Sequence, residues 1–95
     1  MNDQTNVEDV PAGKNISYQH LLFYLEQGRE IEFTYKGKEY FISNSLEGRA
    51  VWKGDIKLSE YFSNDHISLI ESVKIEEVTL ANLFKQNKIQ ISTVF

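Results

Sequence analysis

Ninety-five residues, 41% of them apolar and 13% aromatic, suffice for one small folded domain and argue against a disordered chain. The absence of cysteine excludes disulfides and thiolate metal sites. A formal charge of −4 disfavours nonspecific binding to phosphate backbones, yet is too small to mark a mimic of nucleic acid.

Residues 1 to 15 are polar and acidic, with Asp3, Glu8 and Asp9 against Lys14 and with Pro11 and Gly13 as breakers. They read as a flexible tail ahead of a single domain over 16–95. The tail is unlike a signal or transit peptide, and no apolar run approaches the roughly 18 residues of a membrane span. A soluble, cytoplasmic protein is the expectation.

Ser17 is placed to cap a first helix, with Ile16 before it as a staple onto Leu21. Tyr18, Leu21, Leu22 and Leu25 give that helix a continuous apolar face, and Gly28 ends it. Phe23 and Tyr24 lie off the stripe and widen the apolar surface. A β-hairpin follows over Glu30 to Asn44. Ile31, Phe33 and Tyr35 alternate with Glu30, Glu32 and Thr34, and Lys36-Gly37 supplies a two-residue turn in which glycine tolerates positive φ. Folding about that pair sets Tyr35 opposite Lys38, Phe33 opposite Tyr40 and Ile31 opposite Ile42.

Asn44 to Gly48 reads as a turn, Arg49 to Lys53 as a short third strand, and Lys53-Gly54-Asp55 as its break. The segment Ile56 to Phe62 fits a strand, a helix start or a packed loop equally well. Ser63 or Asn64 is the expected cap of a helix carrying Ile67, Leu69, Ile70 and Val73, with Asp65 in its first turn and Lys74 beyond its last. Thr79 caps a further short helix with Leu80, Leu83 and Phe84 inward and Asn87 as the stop. Ile89 and Ile91 then alternate with polar residues up to Phe95, as in a last strand or a tucked extended tail. The order α-β-β-β-α-α-β predicts an α+β fold, a small antiparallel sheet with helices packed on one face.

Little in the chain carries catalytic chemistry, and no enzyme is expected. His20 and His66 lack any metal-binding spacing and suit first-turn surface or capping positions. None of the serines lies in a nucleophile motif, and the glycines are scattered singly at turns rather than gathered in a phosphate loop. Glu76-Glu77 and Glu30, Glu32 and Glu39 are exposed acids without a cleft to separate their pKa values. No catalytic, metal or cofactor site is therefore assigned.

Binding is better motivated. Tyr40, Phe41 and Trp52 with Lys36, Lys38, Arg49 and Lys53 faintly suggest a stacking platform for bases, but parity turns Tyr40 inward and leaves Phe41 between carboxylates, so nucleic acid is disfavoured. Phe41 either lies beneath the C-terminal segment or centres a protein-binding patch with Glu32 and Glu39, extended by Trp52 or Val51, which lie on opposite faces of the third strand; Trp52 is the candidate taken. A competing reading uses Glu26, Glu30, Glu32, Glu39 and Glu47 as an acidic surface occupying the nucleic-acid site of a nuclease or other DNA enzyme. Pairing of a sheet edge with a second copy is compatible with either.

The run SYQHLLFYLEQGREIEFTYKGKEYFISNS, with its EFxYxGKxYxI hairpin, and the closing LANLFKQNKIQISTVF resemble a loose group of small uncharacterised proteins from Firmicutes and their phages. The polar N-terminal extension and Gly54 to Asn64 depart from that pattern. The resemblance implies the same α+β fold, a bacterial cytoplasm and, as a prophage or mobile-element accessory, action by binding a host or phage protein. It implies no catalytic residue.

Overall fold

The computed structural model describes residues 13–63 and 66–95, and it has the expected α+β architecture. In chain order it comprises α1 (Tyr18–Glu26), β1 (Ile31–Tyr35), β2 (Lys38–Ser45), β3 (Gly48–Lys53), β4 (Ile56–Lys57), α2 (His66–Ser72), β5 (Lys74–Ile75), β6 (Val78–Thr79), α3 (Leu80–Lys85) and β7 (Gln90–Val94). A five-stranded antiparallel sheet has the order β4-β3-β2-β1-β7, and β5 and β6 form a separate two-stranded hairpin.

The first helix forms where its caps dictate. Ser17 Oγ accepts the His20 amide at 3.0 Å. At the other end Gly28 N–H donates to the Leu25 carbonyl and Arg29 N–H to that of Tyr24, the paired bonds of a Schellman cap. α3 repeats both devices. Thr79 Oγ1 accepts from the Asn82 amide at 3.2 Å, and Asn87, at φ 57°, lets Lys88 N–H reach the Leu83 carbonyl. Of the expected start of α2, the cap candidate Asn64 and the first-turn Asp65 lie outside the described residues.

The hairpin register holds residue for residue: Ile31 opposes Ile42, Phe33 opposes Tyr40 and Tyr35 opposes Lys38. Lys36 and Gly37 both have positive φ, at 52° and 76°, the primed turn that matches strand twist. Phe33 and Tyr40 stack with centroids 5.4 Å apart, and Phe84 meets Phe33 edge-on at 5.8 Å. Around these rings the core gathers Leu21, Tyr24 and Leu25 from α1, Leu69 and Ile70 from α2, Leu80, Leu83 and Phe84 from α3, and Ile91 from β7.

Several boundaries differ from the sequence reading. Tyr24, set off the helical stripe, is fully buried, whereas Leu22 is only half-buried. β2 runs on to Ser45, so the turn before β3 is only Leu46-Glu47. Gly48 has φ 121° and lies where a Cβ would stand 2.9 Å from the Phe62 carbonyl group, so the residue after this turn has no room for a side chain. The ambiguous stretch after Gly54 closes the sheet as the two-residue β4 and then returns alongside β3, where Phe62 and Arg49 exchange backbone hydrogen bonds of 2.8 and 3.0 Å. Of the apolar residues expected on α2, Ile67 is exposed whereas Leu69 and Ile70 are buried. Lys74-Ile75 and Val78-Thr79 pair as a hairpin that breaks up the expected helix–helix connection. Gly13 to Asn15, at the end of the expected tail, bond to β7: Gly13 N–H donates to the Ile91 carbonyl at 2.7 Å and Ile91 N–H to that of Lys14 at 2.8 Å.

Candidate interaction face

Strand parity sorts the sheet into two faces. Ile31, Phe33, Tyr35, Tyr40, Ile42, Val51 and Ile91 point to the helices and are buried. On the opposite face the pairings align a transverse row across all five strands: Thr93, Glu32, Phe41, Trp52 and Lys57, each opposite the next. Glu39, two residues before Phe41 on β2, faces the same way. All four residues of the expected patch (Phe41, Glu32, Glu39 and Trp52) therefore share one surface. Val51, the alternative to Trp52, belongs to the core.

The side chains of this row are held in different ways. Trp52 is half-buried, and its indole Nε1–H donates to Ser43 Oγ at 3.0 Å, which fixes the ring beside Phe41. Lys57 at the β4 end lies over the Tyr61 ring, 3.8 Å from its centroid. Thr34 and Ser92 share a hydroxyl hydrogen bond of 3.0 Å in the neighbouring row. No side-chain hydrogen bond or ion pair holds Glu32 or Glu39 among the described residues. Together with Tyr40, Phe41, Gly54 and Phe95 they line a shallow hollow of about 290 Å³.

Phe95 is the residue of the C-terminal segment that meets Phe41, and the sequence pattern does not single it out. Its ring meets that of Phe41 edge-on, with centroids 6.0 Å apart, so Phe41 is one of an aromatic pair and not a lone ring. Simple alternation from Ile89 and Ile91 would turn residue 95 inward with the core. A register shift in the β1–β7 pairing intervenes, because Glu32 faces Thr93 whereas Phe33 faces Ile91, leaving Ser92 as the extra residue. Val94 thereby takes the inward place opposite Ile31, and Phe95 N–H donates to the Glu30 carbonyl at 2.8 Å.

The basic rim imagined for a nucleic-acid platform does not assemble around these rings. Arg49 lies on the helix side and is only 6% exposed. Its guanidinium donates to the carbonyls of Leu25 and Arg29, each at 3.0 Å, and so satisfies acceptors at the C-terminal end of α1. Burial pushes this guanidinium below its ordinary pKa, an effect opposed by the nearby charge of Glu30. Lys36 instead pairs with Glu76 at 2.8 Å, tying the β1–β2 turn to the β5–β6 turn. That contact raises the Lys36 pKa and lowers that of Glu76.

The acids of the competing reading are dispersed. The Glu30 carboxylate accepts the Asn44 amide at 2.8 Å, Glu47 accepts Ser45 Oγ at 3.0 Å within the β2–β3 turn, and Glu26 lines a different cavity of about 410 Å³. Leu25, Asn44, Arg49, Ser63 and His66 share that second cavity, where Asn44 Nδ2 donates to the Gly28 carbonyl at 3.1 Å. The histidines prove half-buried rather than surface groups. His20 stacks on Tyr24 with centroids 4.5 Å apart, and neither His20 Nε2 nor His66 Nε2 finds a hydrogen-bond partner among the described residues.

No group of three or more acidic or histidine side chains among the described residues is placed to hold a metal ion, and no helix among them is long and apolar enough to cross a membrane. No family model, curated protein or solved structure matches the chain.

Proposed function

We propose that this chain is a non-enzymatic protein-binding module that docks its partner on the open face of the five-stranded sheet. The observation that carries the reading is the transverse row Glu32, Phe41 and Trp52, backed by Phe95, on the face turned away from the helices. Two rings and an indole side by side, framed by carboxylates and a lysine, have the make-up of a small recognition patch: an apolar centre within a polar rim. The resemblance to proteins of Firmicutes and their phages supports a bacterial cytoplasmic setting and an accessory role exerted by binding a host or phage protein. The acidic-inhibitor alternative draws less support, because its five glutamates are divided between the open face, the β2–β3 turn and the end of α1.

The test is Phe41→Ser. Truncating a half-buried ring on an uncovered face is expected to leave the circular-dichroism spectrum and cooperative unfolding in place. Binding to a purified partner is expected to weaken by at least tenfold, the scale of a hot-spot aromatic at about 1.4 kcal/mol or more. Unchanged affinity in a folded Phe41→Ser protein would remove the open face from the binding site.

A further inference from the structure

The hollow beside Phe41 carries more information than a generic apolar patch. Glu32 stands directly across the strand pair from Phe41, and Glu39 is its same-face neighbour two residues earlier on β2. Opposed and same-face neighbours at these spacings lie within reach of one another's side chains, so the Phe41 ring sits between two carboxylates. Neither acid has a hydrogen-bonding or ionic partner among the described residues, although basic groups are close in sequence. Lys36 is held by Glu76, and Lys57 lies over Tyr61. Lys38 and Lys53 have the opposite strand parity, on the side of Tyr40 and Val51. The rings of Phe41 and Phe95 form the apolar part of the lining.

Resting on the docking reading above, we propose that this hollow is the seat for an arginine side chain presented by the partner protein. The chemistry is complementary in both respects. A guanidinium is planar and weakly hydrated, so it stacks on an aromatic face, and its fork of N–H donors matches a carboxylate. Two uncompensated carboxylates beside one ring supply the charge such a group requires. At about 290 Å³ the hollow is at the small end of ligand sites and takes a single long side chain rather than a cofactor. The adjoining Trp52, Ser43 and Thr34 leave apolar and hydroxyl groups for the flanking residues of the partner segment.

Two probes test the proposal. The first is the blocked tripeptide Gly-Arg-Gly, titrated against the full chain by amide NMR beside its citrulline analogue, which keeps the shape and removes the charge. Saturable shifts confined to β1, β2 and Phe95, with a dissociation constant on the order of millimolar, are expected for the arginine peptide. Binding at least fivefold weaker is expected for the citrulline peptide and for the Glu32→Gln/Glu39→Gln protein. Equal binding of the citrulline peptide, unchanged binding to the double variant, or no saturable shift would each overturn the proposal.

The second probe is a displayed library of random dodecapeptides selected on the protein. Arginine enriched at one fixed position among peptides that fail to bind Phe41→Ser is the supporting result. Peptides that depend on Phe41 without arginine enrichment would overturn the arginine seat and leave the docking face standing. Absence of any Phe41-dependent peptide would overturn both.

Discussion

At the scale of single residues, the side chains that decide this structure are polar ones in unexpected places. Arg49 follows a tight turn in sequence and reads as a surface cation. It is in fact drawn under the end of α1, where its guanidinium donates to the carbonyls of Leu25 and Arg29. No periodicity marks such a residue, because its role is set by a helix more than twenty positions away. Arg49→Met keeps much of the stem and removes both bonds, and should lower stability by roughly 2–4 kcal/mol in urea unfolding. Arg49→Lys should recover only part of the loss, since an ammonium lacks the planar fork that reaches both carbonyls.

The Lys36–Glu76 contact makes a different prediction, one of sign. The Glu76 pKa is held below the usual carboxylate range chiefly by its hydrogen bond from Lys36. A depressed folded-state value means that the contribution is fully present above the unfolded-state pKa and is lost as pH falls through the folded one. Unfolding midpoints of the wild type and Glu76→Gln should therefore differ at pH 7, converge in acid, and converge also in high salt, since both groups are exposed.

At the scale of elements, legibility followed periodicity and turn chemistry. The β1–β2 hairpin was readable to the residue pair because five alternating positions and a Lys-Gly turn agree with one another. α1 and α3 were readable from their caps, Ser17 and Thr79 at the start, Gly28 and Asn87 at the end. The β5–β6 hairpin was not, for two physical reasons. Two-residue strands have no period, and their turn is Glu76-Glu77, with φ of 53° and 71°, where asparagine or glycine is usual. The same strain yields a prediction. Glu77→Gly relieves one left-handed non-glycine residue while keeping the Lys36–Glu76 pair, and should raise stability by roughly 0.5–1 kcal/mol, read as a higher urea midpoint. The candidate face was legible for β1 and β2, where parity alone places Glu32, Glu39 and Phe41; on β3 parity separates Trp52 from Val51, and only the β2–β3 register sets Trp52 beside Phe41. Phe95 was hidden by the irregularity at Ser92, which reverses the parity of everything after it.

At the scale of the whole molecule, the sheet is assembled from two kinds of connection. β1, β2, β3 and β4 follow one another through tight turns, so each strand pairs with its sequence neighbour. β7 joins the same sheet from the far end of the chain, pairing Phe33 with Ile91 across an intervening pair of helices and a small hairpin. Local pairings require little loop closure, whereas the β1–β7 contact must close nearly sixty residues of chain. The two edges of the candidate face are thus built on different terms, with Phe41 and Trp52 on the local side and Phe95 on the distant one.

That difference has a consequence in time. The barrier to forming the sheet is expected to be crossed with β1–β2–β3 already paired and β7 still undocked. Conservative truncations should then separate by rate in stopped-flow experiments. Ile91→Val, at a cost of about 1 kcal/mol, should speed unfolding by roughly fivefold and leave the refolding rate near that of the wild type. Ile42→Val should instead slow refolding. On that ordering Phe95 reaches Phe41 only after the rate-limiting step, and the aromatic pair at the centre of the open face is among the last contacts the chain makes.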